Sequence, residues 1–414
     1  MAGDPSALRQ FWRTVGREGT PLVEPIQGDE DNVLVTFVWR DSEARSNVCL
    51  DSPALRQGAY FARWRENQLE RLEGTDLFYR SYRLPRELRA SYLFTLDAPL
   101  IAPTDPPDEA HQRFRAFLAS GRAANPDPLN PRTVVEDLGR DTHRIWSAFE
   151  LLDAPRQRWT IERQDVQHGV EQTVRFRSEI LDNERDISCY LPAVAGSSPP
   201  QNILLAFDAP RFLLTTLDNL HADGLIPPTL LVLISNPMLQ DRTRELACHE
   251  PFAEFLATEL MPWLSSNYAI EVDPPRTTVA GCSLGGFAAS HAALRHPETF
   301  GNVLSLSGAY WWGPEHDPSR PGWGGGTSDW LAGQYESSPK QSVRFYLNVG
   351  QLETGEPAAK AISPVLHTLE SNRRMRDVLL ARGYNVTYDE YYGGHDWACW
   401  QVCWAEGILA LARR

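Results

Sequence analysis

A mostly parallel β-sheet covered by helices, preceded by a smaller antiparallel β domain, is what the sequence predicts. Three features carry that expectation. The first part of the chain has period-two alternation, apolar runs of strand length alternate with longer amphipathic stretches after about residue 165, and proline-rich segments lie between the two patterns. The predicted division is 1–165 and 166–414, in keeping with the usual size of domains in a chain of 414 residues.

In the first domain Val33-Leu34-Val35-Thr36-Phe37-Val38-Trp39 alternates best and Ser91-Tyr92-Leu93-Phe94-Thr95 repeats the signal, so both read as strands of an antiparallel sheet. Glu109 to Leu118 carries a helical pattern. Residues 124–131, Ala-Asn-Pro-Asp-Pro-Leu-Asn-Pro, cannot be helix or central strand, because proline lacks an amide donor and restricts the residue before it. In the second domain Asn202–Phe207 and Thr229–Ile234 are the apolar runs expected of strands covered on both faces. Pro251–Ser265 sets Phe252, Phe255, Leu256, Leu260 and Leu264 on one helical face. Thr277–Ala280, Asn302–Leu306, Arg344–Val349 and Asn385–Tyr392 are further strand candidates.

Composition excludes several functions. A formal net charge of -14 argues against nucleic acid as a partner, since affinity for phosphate backbones needs a basic surface. Only Lys340 and Lys360 of the 40 basic residues are lysines, so nearly all positive charge sits on arginine forks suited to oxygen anions, although genomic base composition is the plainer explanation of such a bias. The six cysteines are scattered without a C-x-x-C pair and read as reduced, buried thiols. No apolar run approaches a membrane span, and Met1 to Thr20 has no apolar core of the signal-peptide kind, so a cytoplasmic location is expected. Cys399 and Cys403 lack histidines at finger spacing, and no G-x-G-x-x-G or P-loop occurs, so neither a protein-held metal nor a nucleotide cofactor is expected.

The chemistry is carried by Gly281-Cys282-Ser283-Leu284-Gly285-Gly286, which follows the strand candidate Thr277–Ala280 and opens the helical stretch Phe287–His296. This is G-x-S-x-G in the strand–turn–helix setting of an α/β-hydrolase, with Ser283 as nucleophile. The glycines at 281 and 285 are expected because side chains there would collide with neighbouring strands. In this fold the triad runs in the order serine, acid, histidine. His291 and His296 lie on the helix behind the nucleophile, His367 falls within a helix and His316 precedes the acid, whereas His395 follows the last strand candidate and Gly393-Gly394. His395 is therefore the candidate base. The acid belongs on the loop after Arg344–Val349, where Glu353 and Glu356 both qualify. Asp396 is too close along the backbone to orient the imidazole and reads as a helix N-cap. The oxyanion hole calls for the amide of Leu284 and one from the loop after Asn202–Phe207; Pro210 has none to give, so Ala209 or Arg211 supplies it, Ala209 first.

The wording of these motifs resembles the enterochelin (enterobactin) esterase family, cytoplasmic enzymes that hydrolyse the trilactone of catecholate siderophores. The likeness covers both domains. It rests on Arg242-Thr243-Arg244-Glu245-Leu246, the elbow at 281–286, Leu304 to Trp312, and Gly393-Gly394-His395-Asp396 with Cys399-Trp400, together with Val35 to Arg40 and Asp127-Pro128-Leu129-Asn130-Pro131 in the first domain. The resemblance implies an immunoglobulin-like β-sandwich in front of the hydrolase domain. It also ranks Glu356, followed by Pro357, ahead of Glu353 as the acid. The chain departs from the family at Ala209, where glycine is usual, and at Gln401, where arginine is usual.

The activity implied is hydrolysis of seryl esters in a ferric catecholate siderophore, a small-molecule substrate that brings its own iron, with no cofactor. A flat anionic ligand calls for aromatic faces and arginine. Arg244, Trp311, Trp312 and Trp397 are the candidate contacts, and Pro321–Gly326 is a candidate flap. An acyltransferase of related fold, another ester as substrate, and a siderophore-binding protein with a vestigial triad are the competing readings, and the oligomeric state is left open.

Overall fold

The computed structural model describes residues 5–55, 63–102, 105–137, 143–193, 200–208, 211–236, 239–314, 329–354 and 368–412. The first part contains β1 (Leu22–Ile26), β2 (Asp29–Arg40), β3 (Val48–Asp51), β4 (Glu70–Arg71), β5 (Leu77–Pro85), β6 (Arg89–Leu96), β7 (Thr133–Asp137) and β8 (His143–Glu150). They form two antiparallel four-stranded sheets, in the orders β1-β2-β5-β4 and β3-β6-β8-β7. Alternation explains the sandwich. Val33, Val35 and Phe37 of β2 turn inward onto Val48, Leu50, Tyr92, Phe94 and Phe149 of the facing sheet. The proline-rich loop at 124–131 is ordered by Asp127, whose carboxylate accepts from the hydroxyls of Thr20 (2.7 Å) and Tyr92 (2.8 Å).

The second part is one eight-stranded sheet built from β9 (Val170–Ser178), β10 (Asn183–Leu191), β11 (Asn202–Phe207), β12 (Thr229–Ile234), β13 (Thr277–Cys282), β14 (Asn302–Leu306), β15 (Arg344–Gly350) and β16 (Asn385–Tyr391). Its order is β16-β15-β14-β13-β11-β12-β10-β9. Strands β11 to β16 are parallel to their neighbours among themselves, while β10 pairs antiparallel with both β12 and β9. That antiparallel edge was not foreseen in the sequence. This is the α/β-hydrolase architecture, with helices on both faces of the sheet. The apolar runs of β11, β12, β13 and β14 are buried almost throughout, as covered parallel strands require.

The helix Leu284–Arg295 packs against β13 and β14. Every residue from Leu284 to Leu294 in it is buried, and Ala288, Ala289, Ala292 and Ala293 let it lie close to the sheet. The predicted helix at 251–265 exists in three pieces, Glu250–Glu254, a π-helical turn Phe255–Leu260, and Met261–Tyr268, and the five named apolar residues are all buried. Among the described residues no helix is long and apolar enough to cross a membrane.

The parallel strands change direction of progression at β11: β12 lies on one side of it and β13 on the other. The carboxyl ends of β11 and β13 therefore flank the switch point of the sheet, which is where ligands bind in open α/β sheets.

All six cysteines are reduced and only Cys248 is less than fully buried. Burial pushes the Cys189 thiol up to about 11 and the Cys49 thiol up to about 12, and it raises Cys282, Cys399 and Cys403 well above the ordinary thiol range. Since the thiolate is the reactive form, native protein treated with iodoacetamide near neutral pH is expected to be labelled at Cys248 alone, and at all six after denaturation, read by intact mass.

Candidate active site

Ser283 stands between the end of β13 and the helix Leu284–Arg295, with φ +57° and ψ -121°. A non-glycine residue in that region stores roughly 1–3 kcal/mol of strain unless its surroundings hold it. They do. Its amide donates to the Leu306 carbonyl (2.9 Å), and its carbonyl accepts from Phe287 (3.1 Å) and Ala309 (2.9 Å). The glycines are needed, though the reason differs in part from the expected one. A Cβ on Gly281 would lie 2.6 Å from the Gly285 carbonyl carbon, inside the turn itself, whereas contact with neighbouring strands arises at Gly285, 3.3 Å from Phe207 Cβ, and at Gly286, 2.4 Å from Ser305 Oγ. Leu284, the first helical residue, carries an amide that has no partner within the helix.

His395 follows β16 on the loop Tyr392–Asp396, and its Nδ1 lies 2.7 Å from Glu353 Oε2. Glu353 follows β15, and its side chain is 1% exposed. The other carboxylate oxygen, Oε1, accepts from Ser307 Oγ (2.6 Å), the Gly350 amide (2.9 Å) and the Tyr391 hydroxyl (3.2 Å). Burial, followed by the charge of Glu353, raises the Tyr391 hydroxyl well above its ordinary value, so it stays a protonated donor. Trp400 Nε1 donates to Ser307 Oγ (2.9 Å) and the indole stands edge-on to the His395 ring, with centroids 4.7 Å apart. A carboxylate only accepts, so Nδ1 carries the proton, and in the neutral ring Nε2 then has the lone pair a general base requires.

Glu356, ranked first by resemblance, lies outside the described residues, and the carboxylate the structure brings to the imidazole is that of Glu353. His291 pairs with Glu250 (3.3 Å) and His296 with Glu298 (3.2 Å), both away from His395. His316 and His367 lie outside the described residues. Asp396 caps the last helix through Ala398 N (2.8 Å). Ser307 was not singled out in the sequence, yet it holds the acid from a backbone with φ +49°. Its only trace there is its place before Gly308 in the Leu304–Trp312 segment.

On the oxyanion side Asp208 ends β11 with φ +47°, and Ala209 lies outside the described residues. Asp208 is clasped by both Nε (2.8 Å) and Nη2 of Arg242, and it borders the elbow, since a Cβ on Gly285 would lie 3.4 Å from its Oδ2. Arg242, not Arg244, is therefore the arginine beside the nucleophile turn. Arg244 is 55% exposed and paired with Asp241 (3.0 Å), while the next residue, Glu245, is buried against Arg185 (2.7 Å). Trp311 and Trp312, expected to touch the ligand, are 3% and 4% exposed and belong to the hydrolase core, so packing accounts for them. Trp397 is half-buried and edge-on to Trp400 at 4.9 Å. The flap candidate at 321–326 lies outside the described residues. Among the described residues no three of His, Cys, Asp and Glu are grouped to hold a metal ion.

Two family descriptions match the chain in tandem: "Enterochelin esterase, N-terminal" over residues 34–160 and "Putative esterase" over residues 178–410. The chain belongs to the enterochelin esterase family. It is 28% identical to the iron(III) enterobactin esterase of Dickeya dadantii, over 97% of this chain and 92% of that one. It is 29% identical to the iron(III) salmochelin esterase of Escherichia coli O6:H1, over 99% and 95%. The crystal structure of the ferric enterobactin esterase of Salmonella typhimurium superimposes with a TM-score of 0.77 at 25% identity, covering 97% of this chain and 98% of that one. The family's carboxylic-ester hydrolysis is thus the activity against which the residues are tested.

Substituting Glu353→Gln keeps the shape of the side chain but removes the charge that faces the imidazolium. Ester turnover is expected to fall by roughly 10²- to 10⁴-fold with little change in KM. Glu356→Gln is expected to leave kcat within about threefold of the parent, and steady-state kinetics on an activated aryl ester distinguishes the two glutamates.

Proposed function

We propose that this protein is a serine esterase that opens the ester bonds of a ferric catecholate siderophore of the enterobactin type, releasing iron in the cytoplasm. The observation that carries the reading is the buried Glu353–His395 pair at the carboxyl edge of the sheet that also bears the strained Ser283 turn. Relatives spanning nearly the whole chain are named for enterobactin and salmochelin, which supports the choice of substrate.

In this reading His395 Nε2 takes the Ser283 hydroxyl proton as Oγ attacks the ester carbonyl. The growing negative charge on the carbonyl oxygen is met by the Leu284 amide and a second donor from the loop after β11, assigned to Ala209. Glu353 stabilises the imidazolium that forms, and His395 returns the proton to the leaving alkoxide. Water then releases the acyl group by the same steps in reverse. No cofactor takes part; iron enters with the substrate. Cutting a cyclic trilactone frees arms that had been held at high effective concentration around the metal, so its affinity for iron drops.

The Ser283→Ala protein, mixed with ferric enterobactin and followed by mass spectrometry, is expected to lose linear products by roughly 10³-fold or more while still quenching tryptophan fluorescence on binding. Undiminished product formation by that variant would remove Ser283 from the reaction. Tight binding by the parent protein with no products would make the protein a carrier.

A further inference from the structure

Strand β6 lies in the sandwich, yet all eight of its residues are buried, polar ones included: Arg89, Ser91 and Thr95 are 4%, 2% and 0% exposed. One face packs into the sandwich core. On the other, Ser91 meets the hydrolase domain at the segment that carries His395, while the side chains of Arg89 and Thr95 bond to Glu150 and to the Ala123 carbonyl. Ser91 donates twice to Asp396, from its amide to Oδ2 (2.6 Å) and from its hydroxyl to Oδ1 (2.8 Å). Ser91 is itself held, because its carbonyl accepts from Ser52 Oγ (2.7 Å). Asp396 is 2% exposed and also caps the last helix, so its carboxylate joins three elements.

The neighbouring contacts run the same way. Gly394 lies so close to the turn after β3 that a Cβ there would be 2.6 Å from the Pro53 carbonyl oxygen. Cys399 Sγ donates to the Arg89 carbonyl at 3.2 Å. Leu352, beside the acid, and Tyr392, at the start of the histidine loop, both pack against the sandwich core. The Leu352 amide donates to the Gly393 carbonyl (3.0 Å), which ties the two loops to one another.

We infer that the N-terminal sandwich is part of the catalytic apparatus, with Ser91 and Asp396 as positioning residues that fix the loop bearing His395 against Glu353. This rests on the reading of His395 as the base. A carboxylate that receives two donors from another domain gives the loop one register, and an error of about 1 Å in the imidazole suffices to cost turnover on the order of 10²-fold.

The test uses the full chain and three variants. Asp396→Asn retains a helix cap, since asparagine caps as well as aspartate, but offers one acceptor oxygen to the two Ser91 donors. Ser91→Ala removes the hydroxyl bond and leaves the helix cap untouched; Ser91→Thr restores a hydroxyl. Asp396→Asn is expected to lower kcat by roughly tenfold or more and Ser91→Ala by a few-fold, with KM within about twofold of the parent. Ser91→Thr should recover most of the loss. The downfield proton NMR signal of the His395 Nδ1–H, absent from a His395→Ala control, should shift or broaden in step with kcat, and phosphonylation of Ser283 by a fluorophosphonate should slow in parallel.

Folded Asp396→Asn and Ser91→Ala proteins with parental kcat and an unmoved downfield proton would overturn the inference. So would a loss of activity that follows only the folded fraction in thermal melts; Ser91→Ala decides this alone if Asp396→Asn yields no folded protein. Ser283→Ala and His395→Ala run beside them keep the two claims apart. Should those two retain turnover, the assignment of the base fails; should they lose it while the Ser91 and Asp396 variants do not, only the positioning role fails.

Discussion

The buried carboxylate of Glu353 is the constraint on which the rest of the site depends. Its two oxygens receive four donors, from the loop after β14, from β15 itself, from β16 and from the histidine. A charge taken out of water is tolerable only when it is fully hydrogen-bonded, and leaving one such group unsatisfied costs roughly 1–3 kcal/mol or more. Every neighbour is accordingly fixed. Ser307 accepts a left-handed backbone to reach Oε1, and the half-buried Tyr391 turns its hydroxyl inward to donate. Gly350 must be glycine because a Cβ there would sit 2.4 Å from the Gly393 carbonyl oxygen, between the acid loop and the histidine loop. The state of the imidazole is thus decided by packing several residues away from it.

Much of this was legible in the sequence because it is written locally. Buried parallel strands must be apolar on both faces, so β11 and β12 were readable to the residue, and the elbow announces itself by its glycines. Which glutamate meets the imidazole was not legible, since Glu353 and Glu356 share a loop and a chemistry. What distinguishes Glu353 is the donors waiting for it on other strands, and those are far away in sequence. That Trp311 and Trp312 pack into the hydrolase core was illegible for a related reason. Aromatic residues near a predicted site serve a core and a ligand equally well, and only tertiary packing shows that these two are inside. The strands β9 and β10 were missed because an antiparallel edge alternates charged and apolar residues, as in Val174-Arg175-Phe176-Arg177, and the change from alternation to apolar runs had been set near residue 165.

The arginine-rich segment 242–246 shows how one run of charge is divided by a helix. Residues at three apart share a face and adjacent ones do not. Arg242 therefore reaches Asp208 beside the elbow and Glu245 reaches the buried Arg185, while Arg244 turns outward. The sequence does not show which of the two arginines faces the elbow and which faces outward. The Arg242–Asp208 pair holds a positive-φ residue directly after β11, so the departure at Ala209 from the glycine usual in the family occurs next to a position that is already braced.

A final step concerns why this sheet needs help at one particular edge. β16 is the last strand and, among the described residues, has a neighbour on one side only, β15. Its side chains are all half-buried or exposed, and two glycines follow it before His395. An edge strand that runs into a diglycine is the least restrained part of such a sheet, because half its backbone groups lack a ladder partner and glycine has the largest conformational freedom to lose. The nucleophile has no such difficulty, as Ser283 leaves a central strand with neighbours on both sides. Geometry good to a fraction of an ångström at the edge must therefore be imposed from outside the sheet. In this chain the outside support is β6, whose Ser91 is buried against Asp396, and the two domains are better regarded as one frame for the histidine than as a catalyst with an appendage.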